Sequence, residues 1–506
     1  MFWGRKGKKK EYPLTFFPSS QSPSLLLSSH RRTPLPSDHR VADSVLIIIT
    51  TTMLSSFNNT TTTSSSSHDP DEDEPSPSTT AAAADLHFHH LMAAAPPPPL
   101  ALPPPLAMAS SSSSFATSAI HVRHLLARCA ELMSSSSSSA SGHAHRLVAA
   151  LSAASSPLGD STERLAHQFA AAFSLRLHNR VLIDNNNNNS AAAAMQSCYL
   201  SVNQMTPFIR FAHLTANQAI LESVESEAGG GIHIVDLDIM HGVQWPPLMQ
   251  ALAERRPPPP LLRITGAGSD PETLHRTGSR LSKFAHSLGL TFHFHPLLLR
   301  PDHQHVVRSS SVAVVPGEAL AVNCMFYLHR LVSNQQQREE EEQVLRVFLS
   351  EVKEELSPRV VTVGERELEG REVGDAVEYY RAVFESLEET VPPGSGERAA
   401  VEGAWFGREI REAVAMAGVG GGSSRRMEWW GRVMRRAGFG NVGLSPFAVS
   451  QAKLLLRLHY PSEGYRLQVV DRKEVEELGD DDQNLRVRGL LLGWRDRPLF
   501  SFSSWR

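Results

Sequence analysis

From Gly229 onward the chain alternates short, branched apolar runs with longer amphipathic stretches, and few folds accommodate that rhythm. The runs are IHIVDL (232–237), LLRIT (261–265), LTFHF (290–294), ALAVNC (319–324) and VVTV (360–363). Between them lie helix candidates at Leu248–Ala253, Pro271–Leu288, Glu340–Leu356 and Val373–Leu387. Strands apolar on both faces need cover on both faces, and parallel neighbours need a crossover long enough to be a helix. Such crossovers are right-handed, which winds helices onto both sides of one sheet. Residues 229–506 are therefore expected to form an α/β core around a doubly wound, mostly parallel sheet.

Two late segments, AKLLLRL (452–458) and GLLLGW (489–494), with LFSFSSW close behind, read as strands that close the sheet with antiparallel pairs. That order of elements is of methyltransferase-like type. Ahead of it, residues 117–225 read as an N-terminal helical cap. Val122, Leu125, Leu126, Cys129 and Met133 form one stripe at helical spacing, and Leu147, Val148 and Leu151 start a second helix. Asp160 stands three before Glu163 in a capping-box start to a third, whose apolar residues are Leu165, Phe169 and Phe173. Asn185–Asn189 reads as a polar loop. Thr206-Pro207 then opens a helix carrying Phe208, Phe211, Leu214 and Leu221 on one side.

Residues 53–116 are Thr/Ser runs, an acidic patch at Asp69–Glu74, polyalanine and PPPPLALPPPLA. They cannot bury enough apolar surface to offset their chain entropy, and read as a disordered arm or one that folds on contact with a partner. Met53 opens MLSSFNNTTTTSSSS as a natural start would, so residues 1–52 are expected to be a non-native or disordered extension. The alternative gives Arg5, Lys6, Lys8, Lys9 and Lys10 the role of a nuclear import signal.

A net charge of −4 provides no global attraction to nucleic acid, so any DNA contact must come from a local patch. The 3 cysteines, Cys129, Cys198 and Cys324, form no CxxC pair and no disulfide framework; a reducing compartment fits them best. No apolar run is long enough for a membrane helix.

Chemistry would be expected where the first strand meets its helix, IHIVDLDIMHGVQWPP (232–247). Asp236 and Asp238 stand at the strand's carboxyl end, where open α/β sheets hold ligands, and Pro246-Pro247 can start a helix whose free N–H groups favour anions. The loop has a single glycine, Gly242, whereas nucleotide-binding turns are glycine-rich. Bulky Ile239, Met240, His241 and Val243 would keep its backbone away from a ligand. After the second strand TGAGSD supplies Asp270, later than an acidic ribose ligand falls. Structural turn chemistry is thus preferred to a bound cofactor. His293, His295, His303 and His305 lack zinc-type spacing and read as ordinary surface or hydrogen-bonded histidines. No GxSxG elbow, Walker loop or kinase signature occurs. The run Gln335–Gln337 and Glu339–Glu342 reads as a solvated helix start. Arg425, Arg426, Arg432, Arg435 and Arg436 interleave with Trp429 and Trp430. They read as a solvated helix face over buried tryptophans, or as a contact for phosphate or an acidic partner, with Arg432 and Arg435 as the candidates.

Taken together the motifs resemble the GRAS family of plant regulators. Ile232-His233-Ile234-Val235-Asp236 is similar to its VHIID motif, with Ile232 and Val235 as conservative departures, and Leu262–Gly266 matches the LRITG that follows. Leu125, Leu126 and Leu147 look like its first leucine-rich region and NCMFYLHRL like its second. PFYRE elements stand at Pro358, Tyr379-Tyr380 and Arg408-Glu409. The SAW region has Trp430 eight before Gly438, Trp494 eleven before Trp505, and ends Ser503-Ser504-Trp505. The resemblance spans about 117–506. Its wording at PFIRFAHLTANQAILESVE, AVNCMFYLHRL and FAVSQAKLLLRLHYPSEGYRL is nearest to the Lateral suppressor branch, whose start MLSSF also resembles.

That resemblance implies a nuclear regulator of axillary meristem initiation and shoot branching with no catalytic residues, cofactor or metal. Expected partners are other transcription factors and GRAS proteins, as homo- or hetero-dimers, with DNA contact in some members and no membrane. The stripe Leu125, Leu126, Cys129 and Met133 is the candidate partner surface, by helix-in-groove docking. The alternatives are an S-adenosylmethionine-type methyltransferase and a direct sequence-specific DNA-binding factor.

Overall fold

The computed structural model describes residues 111–134, 141–178, 188–224, 230–255, 261–299, 309–332, 338–369, 372–416, 424–474 and 485–506. The extension 1–52, most of the arm 53–116, His303, His305 and Gln335–Gln337 lie outside them.

Helices come first: α1 (Ser111–Ser134), α2 (Ser141–Ala154), α3 (Ser161–Leu177), α4 (Asn188–Met205) and α5 (Pro207–Ser223). The cap of α3 is as expected, with Asp160 Oδ1 accepting the Glu163 N–H at 2.9 Å. Asn188 and Asn189 begin α4 instead of extending the loop before it. There follow β1 (Ile232–Asp236), α6 (Trp245–Ala253), β2 (Leu262–Gly268), α7 (Pro271–Ser287), β3 (Phe292–Leu298), the single turn α8 (Ser309–Val312), β4 (Ala319–Met325), α9 (Arg338–Leu356) and β5 (Val360–Arg366). The rest comprises β6 (Leu368–Glu369), α10 (Val373–Thr390), α11 (Gly396–Ala400), a π-helical turn (Val401–Phe406), α12 (Gly407–Met416), β7 (Ser424–Arg425), α13 (Met427–Arg436), β8 (Asn441–Val442), α14 (Pro446–His459), β9 (Tyr465–Glu474), β10 (Leu485–Trp494) and β11 (Arg497–Trp505).

The main sheet runs β3-β2-β1-β4-β5-β11-β10-β9, with β8 beside β11. Strands β1 to β5 are parallel, and β11, β10 and β9 continue antiparallel. Helices cover both faces. On one, α5, α6 and α7 bury Ile232, Ile234, Ile264 and Ala321. On the other, α9 and α13 bury Val235, Val322, Val361 and Trp505.

Two sequence expectations need correction. The run at 452–458 is helical, inside α14, and the strand that completes the sheet is Tyr465–Glu474. A short apolar run does not reveal its period, and here the start signal decides: Pro446 fills the first turn and Ser445 Oγ accepts the Ala448 N–H at 3.0 Å. The stripe read as a partner surface faces inward, since Leu125, Leu126, Cys129 and Met133 are all buried among α2, α3 and α10 in the largest apolar cluster. Apolar residues at helical spacing have a nearer partner here than another protein. The cap also draws on the far end of the sequence, because α10 and α12 pack on α3. Arg164 reaches Glu402 at 2.9 Å and Glu388 at 2.6 Å, joining segments more than 200 residues apart.

Leu126 is 3% exposed, so Leu126→Asp should cost at least about 3 kcal/mol and lower the chemical-denaturation midpoint sharply. A midpoint equal to the parent's would restore the stripe as a free surface.

Candidate functional site

The strand order reverses between β1 and β4, and the carboxyl ends of these strands form the crevice where open α/β sheets bind ligands. Asp236 closes β1 there at 3% exposure. Its Oδ2 accepts the indole N–H of Trp245 at 2.9 Å, and its Oδ1 accepts the Asn323 amide at 3.1 Å. Asn323 Oδ1 in turn accepts from Gln244 Nε2 at 3.1 Å and from the Thr362 hydroxyl at 2.9 Å. Asn217 Nδ2 donates to the Gln244 carbonyl at 2.7 Å. One buried polar network therefore ties α5, β1, the start of α6, β4 and β5. Burial pushes the Asp236 carboxyl up to about 7, against the hydrogen bonds from Asn323, Asp238 and Trp245, which pull it down.

Sequence reading singled out Asp236 but passed over Asn217, Gln244, Asn323 and Thr362. The available signal was an amide inside a run of strand residues, AVNC, since a buried amide needs partners.

The crevice is nearly filled. Ile239 and Trp245 are buried, and the cavity that remains has a volume of about 30 Å³. It is lined by Tyr199, His213, Asp236, Asp238, Met240, Phe326, Arg330 and Trp405, among others. Such a space holds about two waters, whereas cofactor-sized ligands occupy pockets of roughly 300 Å³ or more. Gly242 serves packing, not ligand approach. It has φ +64°, and a Cβ there would lie 2.8 Å from Thr277 Cγ2 on α7. Asp270 caps α7 through Thr273 and does not join the crevice network. Asp238 pairs with Arg330 at 2.8 Å on the rim.

The other motif residues are mainly structural. Ile232, Ile234 and Val235 are buried, and His233 is fully so, with Nε2 2.8 Å from the Thr265 hydroxyl. Glu409 accepts from Arg366 at 3.1 Å and from the Tyr380 hydroxyl at 3.1 Å, while exposed Arg408 pairs with Glu412. Trp430, Trp494 and Trp505 are buried. Gly438 takes φ +87° just past α13, a left-handed position that ends the helix. Trp429 and Trp430 turn into the core at a ring separation of 4.6 Å, so they do not interleave with the arginines on the surface. Arg432 and Arg435 are half-buried on α13 and Arg436 pairs with Glu342. His295 approaches the Ser311 carbonyl at 3.2 Å, and no metal-binding cluster of His, Cys, Asp or Glu occurs among the described residues. The three cysteines are free and buried, and no described helix is long and apolar enough to cross a membrane.

Both Asp236 oxygens accept from N–H donors, so Asp236→Asn turns an NH₂ toward one of them and should cost about 2 kcal/mol. The folded carboxyl titrates near 7 and the unfolded one near 3.8, so ionisation opposes folding between those values. The stability difference between parent and variant should therefore shrink as pH rises from 4 to 7, measured by urea denaturation at each pH. A difference that grows with pH would mean the folded carboxyl titrates below its usual value.

The GRAS domain family model matches residues 122–506. Scarecrow-like protein 18 of Arabidopsis thaliana is 44% identical over 431 residues, covering 76% of this chain and 91% of the relative. Protein MONOCULM 1 of Oryza sativa subsp. japonica is 45% identical over 422 residues, covering 76% of this chain and 88% of the relative. The crystal structure of SCL7 from Oryza sativa superposes with a TM-score of 0.59 at 35% identity, covering 76% of this chain and 99% of that one. With motif order, sheet topology and these likenesses in agreement, the chain belongs to the GRAS family of plant transcriptional regulators.

Proposed function

We propose that this chain is a nuclear, non-enzymatic transcriptional regulator that works by binding other transcription factors and controls axillary meristem initiation and shoot branching. One observation carries the non-enzymatic half: the crevice where this fold would hold a cofactor is packed down to about 30 Å³ around the Asp236 network. A buried carboxylate committed to Trp245 and Asn323 is also poorly placed to hold a ribose or a methyl donor. The likeness to MONOCULM 1 supports the branching half. Because the leucine stripe is core, partner contact falls to exposed helical surfaces, and the half-buried Arg432 and Arg435 remain candidates for an acidic partner or for DNA.

Affinity capture with the full chain from shoot-tip nuclei should recover transcription factors, and loss of the gene product should reduce axillary buds. Recovery of metabolic enzymes or substrates alone would count against the regulatory reading. Calorimetry with S-adenosylmethionine should give no binding heat at millimolar ligand. A saturable heat abolished by Asp236→Asn would revive the methyltransferase.

A further inference from the structure

Helix α14 carries a second apolar line that its own packing does not use. Its inner side, Ala448, Gln451, Ala452 and Leu455, is buried, and the helix lies against α5. Phe447, Leu454 and Leu458 stand outside that side. At about 100° per residue they fall within about 20° of one line along the helix, over about 16 Å. Phe447 is 38% exposed and Leu458 48%, and Leu454 between them is half-buried. A single exposed apolar residue is ordinary on a folded protein. Three in line on one helix form a seam of the kind that takes a second helix.

Beside this line the helix is positive. Lys453 and Arg457 stand about 100° round from it, on the side away from the buried face. Both are exposed, and neither meets a carboxylate among the described residues. The helix itself, PFAVSQAKLLLRLH, contains no Asp or Glu. Glu222, which reaches its start, is held by Ser445 Oγ at 2.5 Å and by Gln218 Nε2 at 2.8 Å. Charge argues against a second copy of this chain as the occupant, since pairing two such faces adds positive charge to positive charge. The arm's run Asp69–Glu74 carries the matching charge, but HDPDEDEPSPS has no large apolar side chain to fill the seam. What fits is a helix that sets a row of apolar residues beside a row of carboxylates.

We propose that the outer face of α14 docks an acidic amphipathic helix of a partner protein. Phe447, Leu454 and Leu458 take its apolar row, and Lys453 and Arg457 face its carboxylates. The charges at the rim govern approach and selectivity, and the apolar row governs how long the complex lasts. The surface rests on the regulatory reading for the class of partner, an acidic helical segment of another transcription factor.

The probe is a fluorescent synthetic helix in which leucines recur at alternating spacings of three and four residues, flanked by glutamates. It is titrated into the full chain and read by anisotropy, beside a twin peptide with lysine for every glutamate. The glutamate helix should bind at least about tenfold more tightly than the lysine helix. Lys453→Glu with Arg457→Glu alters exposed positions, which keeps the core intact, and should reverse that order. Leu458→Ser should weaken the glutamate helix by about tenfold while the thermal midpoint stays near the parent's. Equal binding of the two helices, a preference that the charge reversal leaves unchanged, or indifference to Leu458→Ser overturns the proposal. Capture from shoot-tip nuclei separates this surface from the reading it rests on. Transcription factors recovered equally by the parent and the charge-reversed chain keep the regulatory reading and overturn the surface. Metabolic enzymes alone recovered by the parent, with the peptide preference still reversed in the variant, overturn that reading and keep the surface as an acidic-helix site.

Discussion

A carboxylate with no cationic partner, buried at the centre of the sheet, sets the terms for the rest of this molecule. Asp236 can be taken out of water only if N–H groups replace that water, and its surroundings meet this requirement with an indole and an amide. Each donor carries a constraint of its own. Trp245 can reach Asp236 only if α6 begins where it does, and Asn323 only if β4 lies directly beside β1, in the register Asp236↔Asn323. Gln244 and Thr362 then fix Asn323, which brings in β5, and Asn217 brings in α5. A network of this kind contributes more to the uniqueness of the arrangement than to raw stability, since any other strand pairing leaves several buried polar groups unmatched.

The same logic joins cap to core. Helix α5 is buried around nearly its whole circumference and carries Arg210, His213, Thr215 and Asn217 inward with its aromatics. It packs on β4, β5 and β11 on one side and on α4, α6 and α14 on others. The bridge from Arg164 to Glu402 and Glu388, and that from Arg366 to Glu409 with Tyr380, join parts of the chain that meet only after most of it has been made. Buried ion pairs add little net stability beyond their desolvation cost, but breaking one leaves an uncompensated charge, so they penalise a misplaced cap. Cap and sheet thus behave as one body.

Much of this was legible in the sequence. Four of the five parallel strands, β1, β2, β4 and β5, are readable because double burial forces runs such as IHIVD and ALAVN, which carry no helical period, while β3 lies at the sheet's edge and is only partly buried. The helix 446–459 reads as a strand because AKLLLRL is apolar over a span that fits either element, and only its start, Ser445-Pro446, separates the two. Strand β9 was missed for the opposite reason. YRLQVVDRKE lies at the sheet's edge, where Arg466, Gln468 and Asp471 can face water, so its apolar signal is diluted. At the site, Asp236 stood out because a carboxylate in an apolar run has to be explained. Asn217, Gln244 and Asn323 did not, because an amide has no spacing rule and reveals its role only when its partner is found.

The backbone around the crevice shows how a ligand-binding geometry becomes a packed one. Met240 and Phe326, after β1 and β4, both hold positive φ, 45° and 54°, where a side chain costs about 1 kcal/mol per residue. Both line the cavity. A glycine at either position would relieve the strain but would leave no side chain to fill the crevice, enlarging the cavity. Gly242 makes the complementary choice: its left-handed turn and contact with Thr277 leave no room for a Cβ, so α7 can close against the loop. The loop is thus bent as a ligand-cradling loop would be, with side chains in the space a ligand would take. Contacts made on the outside of the fold can then leave this centre undisturbed, because side chains already close it.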